Sequence, residues 1–281
     1  MKVKEALKYG RDTLAASHVE DSSLEAEVLL RHAIDIDRVR LYLEMGRELS
    51  AAEYDSFRQL MHRRLKGEPT AYITGHREFF GLDFLVDGRV LIPRPETELL
   101  VETALELASR RSVHLIADVG TGSGAIAVSL ASRLNTAVIY AVDISNESLK
   151  VAAENAAKHG VAERIRFVQG DLLGQLPQPV DIIAANLPYV KQAELSEVNT
   201  WGQEPAKALD GGVDGLDAIR RLIGQVNDKL KPGGALLLEI GAGQGGAITE
   251  LLADTFPLAE IKLISDDAGI DRVVSMALPA L

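Results

Sequence analysis

From about residue 96 onward, short β-prone apolar runs alternate with stretches of helical periodicity, and this alternation limits the fold more than any other feature of the chain. The runs fall at residues 113–119, 137–143, 164–169, 180–185, 235–240 and near 260–264 and 271–277, with helical stretches between most of them. Strands joined through helices are connected by crossovers, so neighbours lie parallel and the helices cover both faces of the sheet. The expected fold class is α/β with a mostly parallel sheet. Ligands in open sheets of this kind bind beyond the carboxyl ends of the strands, which makes the residues there the first candidates for chemistry.

A chain of 281 residues with 47% apolar content has enough material for a second, smaller domain. The first 70 or so residues supply it: Val3, Leu7 and Leu14 mark one helical stripe, and Leu24, Val28 and Leu29 another. Ser22 with Glu25, and Ser50 with Glu53, fit the capping box that satisfies free amides at a helix start. The second box opens a helix carrying Tyr54, Phe57, Leu60, Met61 and Leu65, which Gly67 and Pro69 end. Between Glu78 and Pro95 the pattern changes to Phe79-Phe80, Phe84-Leu85-Val86 and Val90-Leu91-Ile92, with Gly81 and Asp87-Gly88 as turn signals; the Asp-Gly pair suggests a hairpin. The expected organisation is a helical domain over 1–75, a β-hairpin connector over 76–95 and an α/β domain over 96–281.

Charge and composition narrow the partners. With 41 acidic against 30 basic side chains the formal net charge is −11, which repels a phosphate backbone and argues against a general nucleic-acid binder. The basic run Arg58 to Lys66 reads as a solvated helix face. Cysteine is absent, so disulfides and cysteine-ligated zinc are excluded, and no metal is expected. No apolar run approaches the roughly 20 residues that cross a bilayer, and the first residues lack a signal-peptide core. A cytoplasmic protein without membrane association is expected, and no heptad pattern demands more than a monomer.

The run ending Ala117-Asp118-Val119 leads directly into Gly120-Thr121-Gly122-Ser123-Gly124 and a helix near Ala125. Alternate glycines let the backbone turn sharply and let a ligand approach without a Cβ in the way. Asp143, about 20 residues beyond Gly120, is placed to accept the hydroxyl protons of a ribose. Gly120, Gly122 and Ala125 also fit the dinucleotide fingerprint, so loop and acid alone admit NAD or FAD as well as S-adenosylmethionine. Asp118 favours S-adenosylmethionine, because a carboxylate there suits an ammonium group better than a pyrophosphate. Asp171 and Leu172, after the next strand, are placed to meet an adenine through an acceptor and an apolar wall; the alternative for Asp171 is a turn cap.

The run Val180–Ala185 ends in Asn186-Leu187-Pro188-Tyr189. This tetrapeptide resembles the (Asn/Asp/Ser)-Pro-Pro-(Tyr/Phe/Trp) motif of methyltransferases that modify amino groups conjugated to a π system. A planar amide nitrogen is a poor nucleophile, because its lone pair is delocalised, and must be held in line with the methyl group. Asn186 Oδ1 and the Leu187 carbonyl can each accept one N–H of such a group, and two acceptors on one NH₂ orient it and favour the charge that develops. Tyr189 offers an aromatic face worth roughly 0.5–2 kcal/mol against a cation. Leu187 stands where the motif has proline; Pro188 still biases it toward an extended conformation. Outside such a sheet, an Asn-X-Pro-Tyr segment is more often a turn.

From about residue 60 to the end the chain resembles the HemK/PrmC family, bacterial glutamine methyltransferases acting on the Gly-Gly-Gln motif of class I peptide-chain release factors in translation termination. The resemblance rests on Arg64 to Gly75, Glu78 to Leu82, Val90 to Glu98, Glu204-Pro205, Ala208 to Leu216 and Gly269 to Arg272. It implies a class I S-adenosylmethionine-dependent methyltransferase fold, a seven-stranded and mostly parallel sheet, joined by a β-hairpin to a helical N-terminal domain that helps hold the release factor. Carried over by position, Gly120, Thr121, Gly122, Ser123, Gly124, Asp143 and Leu172 contact the cofactor, with Asn186 at its border, and Asn186, Leu187, Pro188 and Tyr189 hold the glutamine. Arg94 and Glu96 either shape the mouth of the pocket or form a structural pair. A ribosomal-protein glutamine methyltransferase is the near alternative, but such proteins typically carry Pro-Arg-Ser-Pro where this chain has Pro93-Arg94-Pro95-Glu96. An adenine-N6 DNA methyltransferase needs a target-recognition domain that no segment supplies. A binding module that keeps only the fold is the alternative from another class.

Overall fold

A computed structural model describes residues 1–198 and 203–280 and divides into two compact units, Met1–His76 and Arg77–Leu281. The first is helical: α1 (Val3–Ala16), α2 (Ser22–Ile34), α3 (Arg38–Leu43), α4 (Ala51–Leu65) and α5 (Thr70–Thr74). Val3, Leu14, Leu29, Leu30, Phe57 and Met61 fill its core. Gly10 lets α1 approach its neighbours, since a Cβ there would stand 2.8 Å from Phe57 Cζ and 3.1 Å from Ala26 Cβ. The Ser50/Glu53 capping box forms, each side chain bonding the other residue's amide at 3.2 and 2.8 Å. The Ser22/Glu25 box does not: α2 starts at Ser22 itself, and Glu25 accepts instead from Arg64 and, at 2.7 Å, from Thr70 Oγ1. Tertiary partners for that carboxylate outcompete the local cap. The basic face of α4 is accordingly partly neutralised, with Arg63 on Glu68 and Arg64 on Glu25.

The second unit takes in a hairpin of β1 (His76–Phe79) and β2 (Leu82–Leu85). Its turn is Phe80-Gly81, both at positive φ (52° and 74°) as a two-residue type I′ turn requires, and not the Asp87-Gly88 pair suggested by sequence. Asp87 instead accepts from the Arg89 amide and guanidinium, and residues 90–92 form no strand. The hairpin is fastened by Asn155, which bonds both the amide and the carbonyl of Leu85, at 2.7 and 3.0 Å, and also the carbonyl of Ser123.

There follow α6 (Glu98–Arg110), β3 (Leu115–Val119), α7 (Ala125–Arg133), β4 (Val138–Asp143), α8 (Asn146–Lys158), β5 (Ile165–Gln169), β6 (Val180–Ala185), α9 (Leu195–Val198), α10 (Asp217–Val226), β7 (Leu230–Glu239), α11 (Gly245–Thr255), β8 (Glu260–Ser265) and β9 (Asp271–Ala277). The seven-stranded sheet runs β5-β4-β3-β6-β7-β9-β8, parallel except where β9 pairs antiparallel with β7 and β8. β7 starts five residues before the sequence expectation because a register shift opposite Val180 to Ile182 lets Leu230 join the ladder ahead of its Pro-Gly-Gly segment. Strand order reverses between β3 and β6, so a crevice opens beyond their carboxyl ends. The register aligns Val119 with Ala185 and Ala185 with Leu238, which sets Gly120, Asn186 and Glu239 side by side at its floor. Among the described residues no helix is long and apolar enough to cross a membrane.

Candidate active site

The loop after β3 is held from beneath. Val142 O accepts the amides of both Gly120 and Thr121, at 2.8 and 2.9 Å. Gly120, Gly122 and Gly124 all adopt positive φ, which only glycine takes without cost. Asp118 is completely buried; its Oδ2 accepts from Thr121 Oγ1 at 2.6 Å and from the Ala127 amide at 3.0 Å, while Oδ1 has no partner among the described residues. Burial pushes its pKa up to about 7, against the pull of those two hydrogen bonds. Asp143, at the end of β4, accepts from the Gly122 amide at 2.9 Å and the Ser145 amide at 2.8 Å, and burial raises its pKa too.

This loop forms one wall of a cavity of about 580 Å³, within the range of small-molecule sites. Gly120, Gly122, Asp143, Asp171, Leu172, Asn186, Leu187 and Pro188 line it. Asp118, Thr121, Ser123 and Gly124 do not: they shape the loop from below, Ser123 through its carbonyl and Gly124 by clearing Ala152. Asp171 pairs through Oδ2 with Arg221 from α10, which leaves Oδ1 as the acceptor on the cavity side. Leu172 sits at the wall with φ 55°, a conformation that costs a non-glycine residue about 1–3 kcal/mol and tends to be kept where a ligand is held.

A second cavity of about 330 Å³ adjoins the first, lined by Arg94, Tyr189, Val190, Glu194, Gly241 and Gln244 among others. Asn186 and Leu187, together with Leu91 and Ala208, line both cavities and so form the partition between them. Leu187 is 5% exposed and packs its side chain into the core, which accommodates the departure from proline. Gly120 lies against this partition: a Cβ there would stand 3.3 Å from Asn186 O and from Leu187 Cδ2.

Side chains from three segments position the tetrapeptide. Asn186 Nδ2 donates to Thr97 Oγ1 at 3.1 Å, and no donor among the described residues reaches Asn186 Oδ1. Tyr189 Oη donates to Glu239 Oε1 at 3.4 Å, and Tyr189 O accepts from Gln244 Nε2 at 3.1 Å. The same Gln244 amide reaches Gly215 O, and its Oε1 accepts from Gly241 N. Val190 is clamped to Leu209 and Gly211 by backbone bonds of 3.0 and 2.8 Å. Burial pushes the Tyr189 hydroxyl up to about 12 and the Glu239 carboxyl up to about 7; the Thr97 hydroxyl works against the latter shift.

Arg94 and Glu96 do not pair with each other. Arg94 lines the smaller cavity and pairs with Glu204, which also accepts from the Ile92 amide at 3.2 Å. Glu96 lines neither cavity and faces Arg272 at 4.0 Å. The 3₁₀ turn over Pro95–Thr97 points these neighbours in different directions and carries Thr97 beneath Asn186. Sequence reasoning missed Thr97, Glu204, Glu239 and Gln244. Glu239 was findable, as a lone acid closing the apolar run Ala235–Leu238 at the carboxyl end of a parallel strand.

Comparison with known proteins agrees with this architecture at both ends of the chain. Residues 5–75 match the family model described as PrmC N-terminal domain, and residues 114–242 match one described as Methyltransferase domain. A methyltransferase of known structure from Pyrococcus furiosus shares the fold, with a TM-score of 0.53 and 19% identity over 72% of this chain and 91% of that one. Full-length similarity extends to the release factor glutamine methyltransferase of Moorella thermoacetica, 45% identical over 97% of both chains, and to that of Koribacter versatilis, 41% identical over 98% of both. The chain belongs to the release factor glutamine methyltransferase family.

Proposed function

We propose that the chain transfers a methyl group from S-adenosylmethionine to the side-chain amide nitrogen of the glutamine in the Gly-Gly-Gln motif of class I release factors. The observation that carries this reading is the shared partition: Asn186 and Leu187 border both a cofactor-sized cavity and a smaller neighbouring one. A group gripped by the partition from one side stands next to whatever fills the other.

The residues of the larger cavity suit S-adenosylmethionine. Asp143 spends one lone pair of each oxygen on loop amides and keeps others for ribose hydroxyls. Val142, Leu172 and Pro188 offer apolar walls to an adenine, and Gly120 and Gly122 let a ligand approach the backbone closely. Asp118, Thr121, Ser123 and Gly124 serve the cofactor by fixing the loop. Asp171, tied to Arg221, closes the rim. Bound there, S-adenosylmethionine supplies a methyl group on a sulfonium.

On the other side of the partition, Asn186 Oδ1 and the Leu187 carbonyl accept the two N–H groups of the glutamine amide, and Tyr189 packs beside it. No base is needed beforehand, since the alkylated amide is strongly acidic and loses its extra proton afterwards. Arg94, fixed by Glu204, stands at the mouth. The helical unit, residues 1–75, serves recognition of the release factor, in keeping with its match to the PrmC N-terminal domain. Such a protein works in the cytoplasm as a monomer, without binding nucleic acid directly.

Mass spectrometry of a purified release factor incubated with the protein and S-adenosylmethionine tests the reading. One added methyl on the glutamine of Gly-Gly-Gln is expected; methylation elsewhere, or none, overturns it.

A further inference from the structure

Asn186 can hold an NH₂ group only if its amide presents oxygen, and nothing in the Asn186 side chain itself fixes that choice. The two ends of a carboxamide are nearly the same shape, so its neighbours decide which faces the cavity. The neighbour is Thr97, 4% exposed, whose Oγ1 accepts from Asn186 Nδ2 at 3.1 Å. A hydroxyl has a single proton, and a buried one seeks an acceptor. The carboxylate that bears on this hydroxyl is Glu239. It is 2% exposed, follows the β7 residue paired with the last residue of β6, and keeps its Oε2 unpartnered among the described residues while Oε1 takes the Tyr189 hydroxyl. Burial pushes its carboxyl up to about 7, and the Thr97 hydroxyl pulls it back toward the ionised form.

Resting on the function proposed above, we infer that Glu239 is a positioning residue that sets the polarity of the site: in its ionised form it is a pure acceptor and draws the Thr97 proton, Thr97 must then accept from Asn186, and Asn186 Oδ1 is left facing the substrate. The arrangement selects an acceptor that brings N–H donors, a carboxamide, over the isosteric carboxylate. One carboxylate orients both Asn186 and Tyr189, the two side chains of the tetrapeptide that face the incoming group.

Glu239→Gln separates this role from simple packing. The new amide can still accept from Tyr189, but it donates to Thr97; Thr97 then donates to Asn186 Oδ1, and the Asn186 amide turns its NH₂ outward. Turnover on a peptide carrying Gly-Gly-Gln is expected to fall on the order of 10²-fold, while the dissociation constant of S-adenosylhomocysteine by calorimetry stays within about 2-fold. Binding of Gly-Gly-Gln and Gly-Gly-Glu peptides in the presence of S-adenosylhomocysteine gives the distinguishing readout: the preference for Gln should shrink at least about 10-fold in the variant. Unchanged turnover, or lower turnover with an unchanged Gln-to-Glu preference, overturns the inference. Should Glu239→Gln not fold, Thr97→Val and Thr97→Ser replace it; the hydroxyl-bearing variant should retain the preference and the other lose it, and equal behaviour of the two overturns the relay. A wild-type protein that leaves release factors unmethylated refutes the functional reading instead, and the peptide-binding comparison still reports on Glu239.

Discussion

The two walls of the site are built by different means. The loop after β3 is held almost entirely by backbone: paired amides on Val142 O, three glycines at positive φ, and carboxylates of Asp118 and Asp143 that bond main-chain amides. The segment after β6 is held by side chains that arrive from elsewhere, Thr97 before α6, Glu239 at the end of β7 and Gln244 before α11. The first wall should be sensitive to added Cβ atoms and to loss of the two carboxylates that bind its amides. The second should respond to changes in the distant side chains that orient it.

Removing the side-chain acceptor of the second wall should have the largest effect. Asn186→Ala takes away an oriented oxygen while leaving the backbone of the partition in place. Turnover should drop by on the order of 10²-fold or more, with cofactor affinity by calorimetry nearly intact. A variant as active as the wild type would mean that the carbonyl of Leu187 alone suffices.

Asp143→Ala should come next and act on the other quantity. It deletes the carboxylate facing the cavity and also frees the amides of Gly122 and Ser145, so the loop loses two of its ties. Cofactor affinity should weaken on the order of 10-fold or more, while the methylated residue stays the same by mass spectrometry. A shift in the site of methylation would show that the two walls are not independent.

Gly120→Ala tests where they touch. The added methyl meets Asn186 O and Leu187 Cδ2 at 3.3 Å from a backbone at φ 78°. A cost of about 1–2 kcal/mol is expected from the left-handed backbone alone, visible as a lower Tm. Because the methyl presses on the partition, turnover and cofactor affinity should fall together by several-fold. A loss confined to cofactor affinity would place the contact outside the catalytic geometry.

The contrast also accounts for what the sequence could reveal. The loop was legible because its cause is local: strand, glycines and Asp143 lie within one βαβ unit, and their spacing alone implies the crevice. The sheet was legible for the same reason, each strand announcing itself by its own apolar run. The hairpin turn was misplaced because Asp87-Gly88 carries the stronger composition signal, while Phe80 accepts positive φ only with tertiary support from Glu98, which bonds its amide at 2.9 Å. Arg94 and Glu96 were read as a possible pair because they are close in sequence, yet Arg94 finds Glu204 across the fold. Thr97 stayed hidden because it matters only through the partner the fold brings to it, whereas Glu239 carried one local signal, its place at the end of an apolar strand.

The smallest effect concerns the two buried carboxyls, one per wall, and acts on stability. Asp118 and Glu239 both have pKa values raised to about 7 by burial, well above those of the unfolded chain. For an acid with a raised folded pKa, the protonated form is favoured in the folded state, so its contribution is complete below the unfolded pKa and is lost as pH rises through the folded one. The groups facing Glu239 are Thr97, Tyr189, Glu96 and Arg272; the charge of Glu96 adds to the upward shift and that of Arg272 opposes it. Carboxylates with lowered pKa, such as Asp181 beside Lys231, titrate at lower pH and leave this window clear. The Tm of the protein without cofactor should therefore decline from about pH 5 to about pH 8. In Glu239→Gln the decline should be shallower, because one of the carboxyls with a raised pKa is gone. An identical slope in wild type and variant would show that Glu239 does not titrate across this range, whereas the shallower slope would place the relay to Asn186 on the alkaline side, where Glu239 is ionised.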